Sequence, residues 1–358
     1  SSRVRDSEHT LFNAQNTAFP FVELLAVTAN MLVLGVGGVL IVNGSGLTLG
    51  RLLTFTAYLN MLYGPLDFLS WVTTWFSRCL DSAQRIFEII DAQPDVKEAQ
   101  QPLCPEIVRG EIELQNVMFE YEPGRPVIRD LSFRVEEGQM IGIVGKTGAG
   151  KTTIINLMAR LYDPTEGRLL IDGRDIREYS FAFLRKNIGV VSQETYLFIG
   201  TVADNIRYAR PEATEEEVIA AAKAACAHDF IMKLPDGYET RIGAGGQDLS
   251  GGEKQRLSIA RTILQDPKIL ILDEATASMD TETERNIQES LSRLQSGRTT
   301  VSVAHRLSTL RDADVLAVIS QGKMTEYGTH DELIRKKGEY YNLYRLQTKA
   351  AGTIVIAD

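Results

Sequence analysis

The sequence predicts an α/β fold preceded by an all-α transmembrane hairpin, and two features carry this prediction. First, strand-like and helix-like patterns alternate from about residue 110 to residue 320, which is typical of α/β domains. One strand-like run, MIGIVG at 140–145, leads directly into a glycine-rich loop and then a helical pattern. Second, residues 24–42 contain no charged side chain, and a run of that length is about long enough to cross a bilayer.

The predicted hairpin consists of two nearly uncharged runs joined by a short loop. We expect membrane helices at about 20–42 and 52–77, with NGSGLTLG at 43–50 between them and Asp67 as the only charge of the second run. Basic residues flank the hairpin on both sides, which places both of its ends on the cytoplasmic face of a cell membrane. These residues are Arg3, Arg5, Arg78 and Arg85. The alternative is a pair of buried helices in a soluble core.

The rest of the chain divides by composition and periodicity. The strand pattern at 110–121 breaks its alternation between Leu114 and Val117, which predicts a β-bulge. The pattern at 330–347 predicts one terminal amphipathic helix. The predicted domains are a partial transmembrane domain at 1–91, a proline-containing linker at 92–106, the domain with the glycine-rich loop at 107–346 and a C-terminal tail at 347–358. Within the first domain, the amphipathic pattern at 78–91 predicts that the second membrane helix extends into the cytoplasm.

Charge and cysteine content narrow the classes of partner and compartment. The formal net charge of −9 disfavours a nucleic-acid partner, which would require a basic surface. The three cysteines, Cys79, Cys104 and Cys226, are widely spaced and form no C-x-x-C pair. We therefore expect free thiols in a reducing compartment and no cysteine metal site.

The glycine-rich loop fits the pattern G-x-x-x-x-G-K-[ST] in the strand–loop–helix context that the pattern requires. Its glycines allow the backbone to turn a row of N–H groups toward phosphates, and the following helix directs its positive end to the same place. The loop lysine can reach the β- and γ-phosphates, and the following hydroxyl can bind Mg²⁺. The predicted ATP-binding residues of this loop are Gly145, Lys146, Thr147, Gly148, Ala149, Gly150, Lys151, Thr152 and Thr153.

Two further motifs extend the predicted ATP site. ILILDE at 269–274 predicts a buried strand in which Asp273 supplies a carboxylate to Mg²⁺ and Glu274 acts as the general base toward water. LSGGE at 249–253 predicts a second helix start with Ser250 as its N-cap, although an ordinary capped helix would look the same. One γ-phosphate does not need two such helix starts from one domain. We therefore expect the second start to bind ATP held by a partner domain.

In combination these motifs resemble the nucleotide-binding domain of ABC transporters over about residues 107–345, with LSGGE as the signature. The resemblance implies a P-loop NTPase with a RecA-like core, an antiparallel β subdomain and an α-helical subdomain. The hydrophobic hairpin resembles the end of the transmembrane domain of exporter-type half-transporters. In that class six membrane helices precede the ATPase, and about two are expected within this chain.

The resemblance also implies roles for individual residues. Tyr121 is expected to stack on adenine, Gln193 to sense Mg²⁺ and the γ-phosphate, and Asp280 to lie in a loop that crosses the dimer interface. Ala244 stands where exporters usually carry a glutamate before the signature, which bears on coupling and not on hydrolysis. The implied catalytic residues are Glu274, His305 and Lys151; the metal ligands are Thr152, Gln193 and Asp273; the residues that bind the partner's ATP are Ser250, Gly251, Gly252 and Glu253.

The expected function is ATP-driven export in a dimer of ATPase domains. The expected cofactors are ATP and Mg²⁺, and the expected partners are a second ABC subunit (identical or related), the lipid bilayer and a transported substrate that the sequence does not identify. We expect no nucleic acid. One alternative is a soluble-type ABC ATPase that acts on nucleic acid or the ribosome. Another is a P-loop kinase, which LSGGE argues against.

Overall fold

The computed structural model describes residue 24 and residues 27–192, 195–243, 246–273, 281–303 and 307–350. Internal contacts divide the chain into two units, Ser1–Gln93 and Pro94–Asp358. Within the described residues, the first unit contains two helices, and the second contains three sheets with helices around them.

The first unit is a helical hairpin. Its helices are α1 (27–42) and α2 (Leu49–Ile90). The side-chain amide of Asn30 on α1 donates to Oδ1 of Asn60 on α2 at 2.9 Å, so one polar contact joins the two helices. The second helix continues beyond the membrane segment predicted at 52–77, through the predicted extension as far as Ile90. In the described part of the chain, no helix combines the length and the apolar character of a membrane crossing.

The described strands of the second unit are β1 (Ile112–Glu120), β2 (Pro126–Val135), β3 (Met140–Val144), β4 (Glu166–Ile171), β5 (Arg174–Asp175), β6 (Ile188–Val191), β7 (Gly200–Thr201), β8 (Arg241–Ile242), β9 (Ile269–Asp273), β10 (Thr299–Val303), β11 (Val315–Ser320) and β12 (Lys323–Gly328). They form a six-stranded sheet of order β12-β11-β3-β10-β9-β6, a four-stranded sheet of order β2-β1-β4-β5, and the pair β7-β8. In the six-stranded sheet every described pairing is parallel except that of β11 with β12.

Helices cover the sheets and form the remainder of the second unit. They are α3 (Lys151–Met158), α4 (Phe181–Asn187), α5 (Val202–Arg207), α6 (Glu215–Ala224), α7 (His228–Ile231), α8 (Gly251–Gln265), α9 (Thr281–Gln295), α10 (His330–Lys336) and α11 (Glu339–Ala350). Short 3₁₀ helices occur at Ile176–Glu178, Gly237–Glu239 and Leu307–Leu310.

Three buried clusters hold these elements together. The largest joins the antiparallel sheet to the parallel sheet and to α3, through side chains such as Leu114, Ile143 and Ile154. The second packs α5, α6 and α8 against strands β6 and β9. The smallest packs α10 and α11 against β11. The parallel β–α core and the separate antiparallel sheet confirm the predicted α/β P-loop architecture.

The β-bulge predicted in the first strand is present. The register of β1 against β2 shifts between Leu114 and Val117. Between them Asn116 has φ of 47°, and its amide donates to the Ser132 hydroxyl at 2.8 Å. The extra residue is thus accommodated by a left-handed turn of the backbone.

The prediction of one continuous terminal helix at 330–347 is wrong, because the structure has two helices there. Lys337 adopts a left-handed conformation with φ of 53° and ends α10. A Cβ on Gly338 would lie 1.8 Å from Oε1 of Glu326, so the chain passes close to that carboxylate. The same carboxylate accepts hydrogen bonds from the amides of Glu339 (2.6 Å) and Tyr340 (3.1 Å). A side chain on β12 therefore caps the start of α11 and separates the two helices.

The segment predicted as a linker is docked along part of its length. Leu103 exchanges backbone hydrogen bonds with Glu178 (2.8 Å) and Ser180 (3.1 Å). The buried guanidinium of Arg160 donates to the Lys97 carbonyl at 3.0 Å. These contacts explain why residues from Pro94 onward group with the second unit.

Candidate functional site

The glycine loop lies at the carboxyl end of β3, the strand between β11 and β10. Gly148 and Gly150 have φ of +80° and +105°, conformations that favour glycine. A Cβ on Gly145 would lie 2.3 Å from the carbonyl oxygen of Ile319, so only glycine fits there. Gly150 is the N-cap of α3 and provides no side-chain cap. The helix therefore starts without a side chain over its first N–H groups, as a phosphate-binding helix requires.

Lys151, the first residue of α3, directs its ammonium back into the loop. Its side chain is buried, and Nζ donates to the carbonyls of Gly145 (2.9 Å) and Lys146 (3.1 Å). These bonds hold the charge at the centre of the loop, where phosphates would bind. The next residue, Thr152, is exposed.

The sheet places a carboxylate on the same edge as the glycine loop. Val303 of β10 pairs with Ile143 of β3 on one side and with Asp273 of β9 on the other. Because parallel strands end at a common edge, Asp273 lies two strands from the loop. The apolar residues of β9 before it are buried, and Asp273 itself is half-buried.

Tyr121 follows β1 and is held beside α3. Its ring packs edge-on against Phe119 (4.8 Å between centroids) and Tyr162 (5.1 Å), and about half of the residue (49%) is exposed. Its hydroxyl donates to Oγ1 of Thr153 at 3.3 Å and accepts from the Asn156 amide at 3.5 Å. The phenol is thus anchored at its edge, which leaves an exposed ring beside α3.

The predicted signature forms the start of α8, as expected from Ser250. The Ser250 hydroxyl accepts from the Glu253 amide at 3.3 Å, and the Glu253 carboxylate accepts from the Ser250 amide at 2.8 Å. This reciprocal arrangement is a capping box. The helix then buries Leu257, Ala260 and Leu264 on one face.

Sequence reasoning missed Gln255, which ties α8 to the segment around Gln193. The side chain is 2% exposed. Its Oε1 accepts from the Thr195 hydroxyl at 2.6 Å, and its Nε2 donates to the Ser192 carbonyl at 3.3 Å. The two contacts bracket the predicted sensing glutamine. The spacing of Gln255 from the signature gives no sign of this, because both partners lie 60 or more residues away in the chain.

Arg261, also on α8, supports the segment that follows. Its guanidinium donates to the Asn205 carbonyl at 2.9 Å and lies 5.4 Å from the centroid of the Phe198 ring. Burial lowers the pKa of Arg261. A single helix therefore carries the signature at its start and holds the chain on both sides of Gln193.

Several predicted site residues lie outside the described part of the chain. Their described neighbours are Asp273 before Glu274, Leu307 after His305, and the pair Ser192 and Thr195 around Gln193. The predicted site residues that lie outside the described part of the chain are Gln193, Ala244, Glu274, Asp280 and His305.

The fold and the loop geometry define the class of protein as a P-loop nucleotide-binding domain. Residues 128–277 match the ABC transporter family. The ATP-dependent lipid A-core flippase of Syntrophus aciditrophicus (strain SB) is 45% identical over 330 residues, which is 92% of this chain and 55% of that protein. YgaD of Bacillus subtilis (strain 168), whose name assigns it to multidrug export, is 43% identical over 340 residues, which is 95% of this chain and 58% of that protein.

A solved structure of a bacterial Atm1-family ABC exporter with ATP bound is similar in fold and sequence. Its TM-score is 0.71 and its sequence identity is 40%, over 94% of this chain and 60% of the other. The chain therefore contains a domain of the ABC transporter family. It spans between 55% and 60% of the length of these similar proteins.

Proposed function

We propose that the chain is an ATPase subunit of an ABC exporter and hydrolyses ATP in a pair of nucleotide-binding domains. The observation that carries this proposal is the glycine loop, in which the Lys151 ammonium is held at the centre of an uncapped helix start. Similarity to an exporter with ATP bound supports the same function.

The adenine and the phosphates of the nucleotide each have a matching group on this chain. The exposed ring of Tyr121 offers a stacking surface for adenine, and the first N–H groups of α3 would donate to the phosphates. Lys151 would exchange its bonds to loop carbonyls for bonds to the β- and γ-phosphate oxygens. Because that exchange substitutes one set of charge-assisted hydrogen bonds for another, it needs little rearrangement.

The oxygen ligands at this edge of the sheet fit Mg²⁺. Among the described residues, no three His, Cys, Asp or Glu side chains cluster closely enough to hold a metal ion. A magnesium ion bound largely through nucleotide phosphates needs only one or two carboxylates from the protein. Asp273 would supply the carboxylate, and the Thr152 hydroxyl and the Gln193 side chain would supply two further oxygen ligands. The bound ion would neutralise charge on the phosphates.

The remaining catalytic roles fall to Glu274, His305 and Lys151. Glu274, directly after Asp273, would accept a proton from water as the water attacks the γ-phosphorus. His305 would donate a hydrogen bond to the γ-phosphate, and Lys151 would stabilise its negative charge.

The signature supports a pair of domains. One glycine loop already serves one ATP, so the start of α8 would contact ATP held by a second ABC subunit through Ser250, Gly251, Gly252 and Glu253. Asp280 would lie where the two domains meet. Closing the pair around two ATP molecules and reopening it after hydrolysis would drive movement of membrane helices.

The proposed location is the cell membrane, with multiple crossings and a cytoplasmic ATPase domain. The two similar proteins are named for different cargo, a lipid and drugs, so the substrate of this chain stays open. The proposed domain limits are those of the sequence prediction, with the nucleotide-binding domain at 107–346.

The Glu274→Gln variant tests the assignment of the base. We expect this variant to bind ATP as tightly as the unaltered chain and to lose turnover by about 10²-fold or more, the size typical of a lost general base. Phosphate release measures turnover, and binding of a fluorescent ATP analogue measures affinity. Turnover equal to that of the unaltered chain would remove Glu274 from the mechanism. Stimulation of turnover by nucleic acid instead of by lipid vesicles would favour the soluble-ATPase alternative.

A further inference from the structure

The last turns of α11 lie against two parts of the ATP site. Leu343 and Gln347 are four residues apart and so share one face of the helix. Both line a cavity of about 340 Å³ whose other walls include glycine-loop residues 145–147 and Leu307. Leu307 begins a 3₁₀ helix two residues after His305. Helix α11 is thus adjacent both to the glycine loop and to the backbone that follows His305.

Gln347 makes a specific bond to that emerging chain. Its Oε1 accepts a hydrogen bond from the backbone amide of Leu307 at 2.9 Å. The first amides of a helix have no acceptor within the helix, and Leu307 is only 2% exposed, so an outside acceptor is needed. A side chain 40 residues further along the chain supplies it.

Apolar packing fixes the frame around this bond. Leu307 and Leu310 share a buried cluster with Val144, the last residue of the strand that leads into the glycine loop. Leu343 and Tyr344 of α11 pack on the same cluster. The apolar contacts therefore fix the start of the 3₁₀ helix relative to the glycine loop. The hydrogen bond to Gln347 is a polar contact that holds the same segment in place.

We infer that Gln347 is a positioning residue for His305. By holding the Leu307 amide it sets the path of the backbone two residues beyond the histidine, and so sets where the imidazole meets the γ-phosphate. This inference rests on the proposed role of His305. Gln347 acts through the backbone and is not assigned a contact with the nucleotide.

The Gln347→Met variant removes the acceptor and keeps the length of the side chain. Gln347 is exposed, so we expect the variant to fold. Its kcat should fall about five-fold, which corresponds to about 1 kcal/mol, the net value of one hydrogen bond. Its KM for ATP should not change, because the glycine loop and Tyr121 hold the nucleotide. Gln347→Glu retains an acceptor and should restore kcat. Asn342→Met, which removes an exposed amide from the same helix, is the matched control and should leave kcat unchanged.

A double-variant cycle separates positioning from general stability. In a His305→Ala background, Gln347→Met should lower kcat no further, since its effect passes through the histidine. An equal fall in both backgrounds would overturn the inference and leave His305 in place. If His305→Ala alone leaves kcat unchanged, the proposed role of His305 fails, and this inference fails with it.

Hydrogen exchange of the full chain in detergent tests the contact without ATP turnover. Amides of residues 307–310 should exchange faster in Gln347→Met than in the unaltered chain, and Asn342→Met should not change them. Equal exchange in all three proteins would show that Gln347 does not protect this segment and would overturn the inference.

Discussion

The starts of α3 and α8 are both assigned to phosphate, yet they are built in opposite ways. At α3 the N-cap is Gly150, which has φ of 105° and no side chain to offer the helix. At α8 the N-cap is Ser250, and its hydroxyl and the Glu253 carboxylate bond reciprocally to backbone amides. The first helix start is open, whereas the second is closed by its own side chains.

The two helix starts therefore meet different chemical requirements. A helix start that cradles phosphates through its amides must keep side chains away from them, and the glycines of the loop do so. A capping box stabilises a helix in isolation, and the same box closes α5, α6 and α10 through Thr201, Thr214 and Thr329. The box alone therefore does not mark α8 as a phosphate site. The glycine pair at 251–252 sets α8 apart from these other helices.

The largest effect should come from the charge at the open end. We expect Lys151→Ala to lower ATP turnover by about 10²- to 10³-fold, because it removes the positive group at the phosphate position. Lys254, near the closed end, pairs with the exposed Asp248 at 3.1 Å and is the matched lysine. Lys254→Ala should change turnover by less than about two-fold, since exposed ion pairs contribute little. Phosphate release measures both, and equal losses would remove the distinction between the two helix starts.

Glycine-to-alanine changes at the two starts should act in opposite directions on stability. Gly150→Ala should lower the free energy of unfolding by about 1–2 kcal/mol, because its φ is left-handed and its Cβ would lie 2.7 Å from Cδ1 of Ile128. Gly251 is helical, and a Cβ there would meet nothing within 4 Å. Gly251→Ala should therefore keep or slightly raise stability.

Turnover decides whether Gly251 is more than a helical residue. If the partner's phosphate approaches this backbone, Gly251→Ala should lower ATP turnover while the protein stays fully folded. Urea denaturation and phosphate release on the same sample report the two quantities. Unchanged turnover in Gly251→Ala would mean that no ligand approaches this end of α8.

Removing the N-cap hydroxyls gives a smaller effect and a direct comparison. Ser250→Ala at α8 and Thr214→Ala at α6 should each cost about 1 kcal/mol of stability, because both break a capping box. Only Ser250→Ala should also lower turnover, since Thr214 caps a helix with no assigned ligand. Equal turnover in the two variants would assign the α8 box to stability alone.

These contrasts also explain how far the sequence could be read. The glycine loop, the N-cap at Ser250 and the bulge in β1 depend on residues within a few positions of each other, so local rules predicted them. The contacts of Gln255 and Gln347 join residues 40 or more positions apart, and no local pattern specifies them. The break before α11 depends on Glu326 of β12, a partner that helical periodicity alone does not reveal.

The smallest effect concerns the pH dependence of the melting temperature. It tests how a capping box stabilises a helix that has no assigned ligand. In the capping box of α6, the hydrogen bond from the Thr214 backbone N–H lowers the pKa of Glu217 most strongly, and the ion pair with Arg210 lowers it further. A carboxyl whose pKa is lower in the folded state stabilises the fold above its unfolded pKa, here near 4.5, and this stabilisation is lost as pH falls through the folded pKa. Glu217→Gln keeps an acceptor for the Thr214 amide but does not titrate. The loss of melting temperature below about pH 5 should therefore be smaller in this variant than in the unaltered chain. Glu216→Gln, in the same exposed turn and outside the box, is the control; the same reduction in both variants would mean that first-turn charge, and not the box, accounts for the pH dependence.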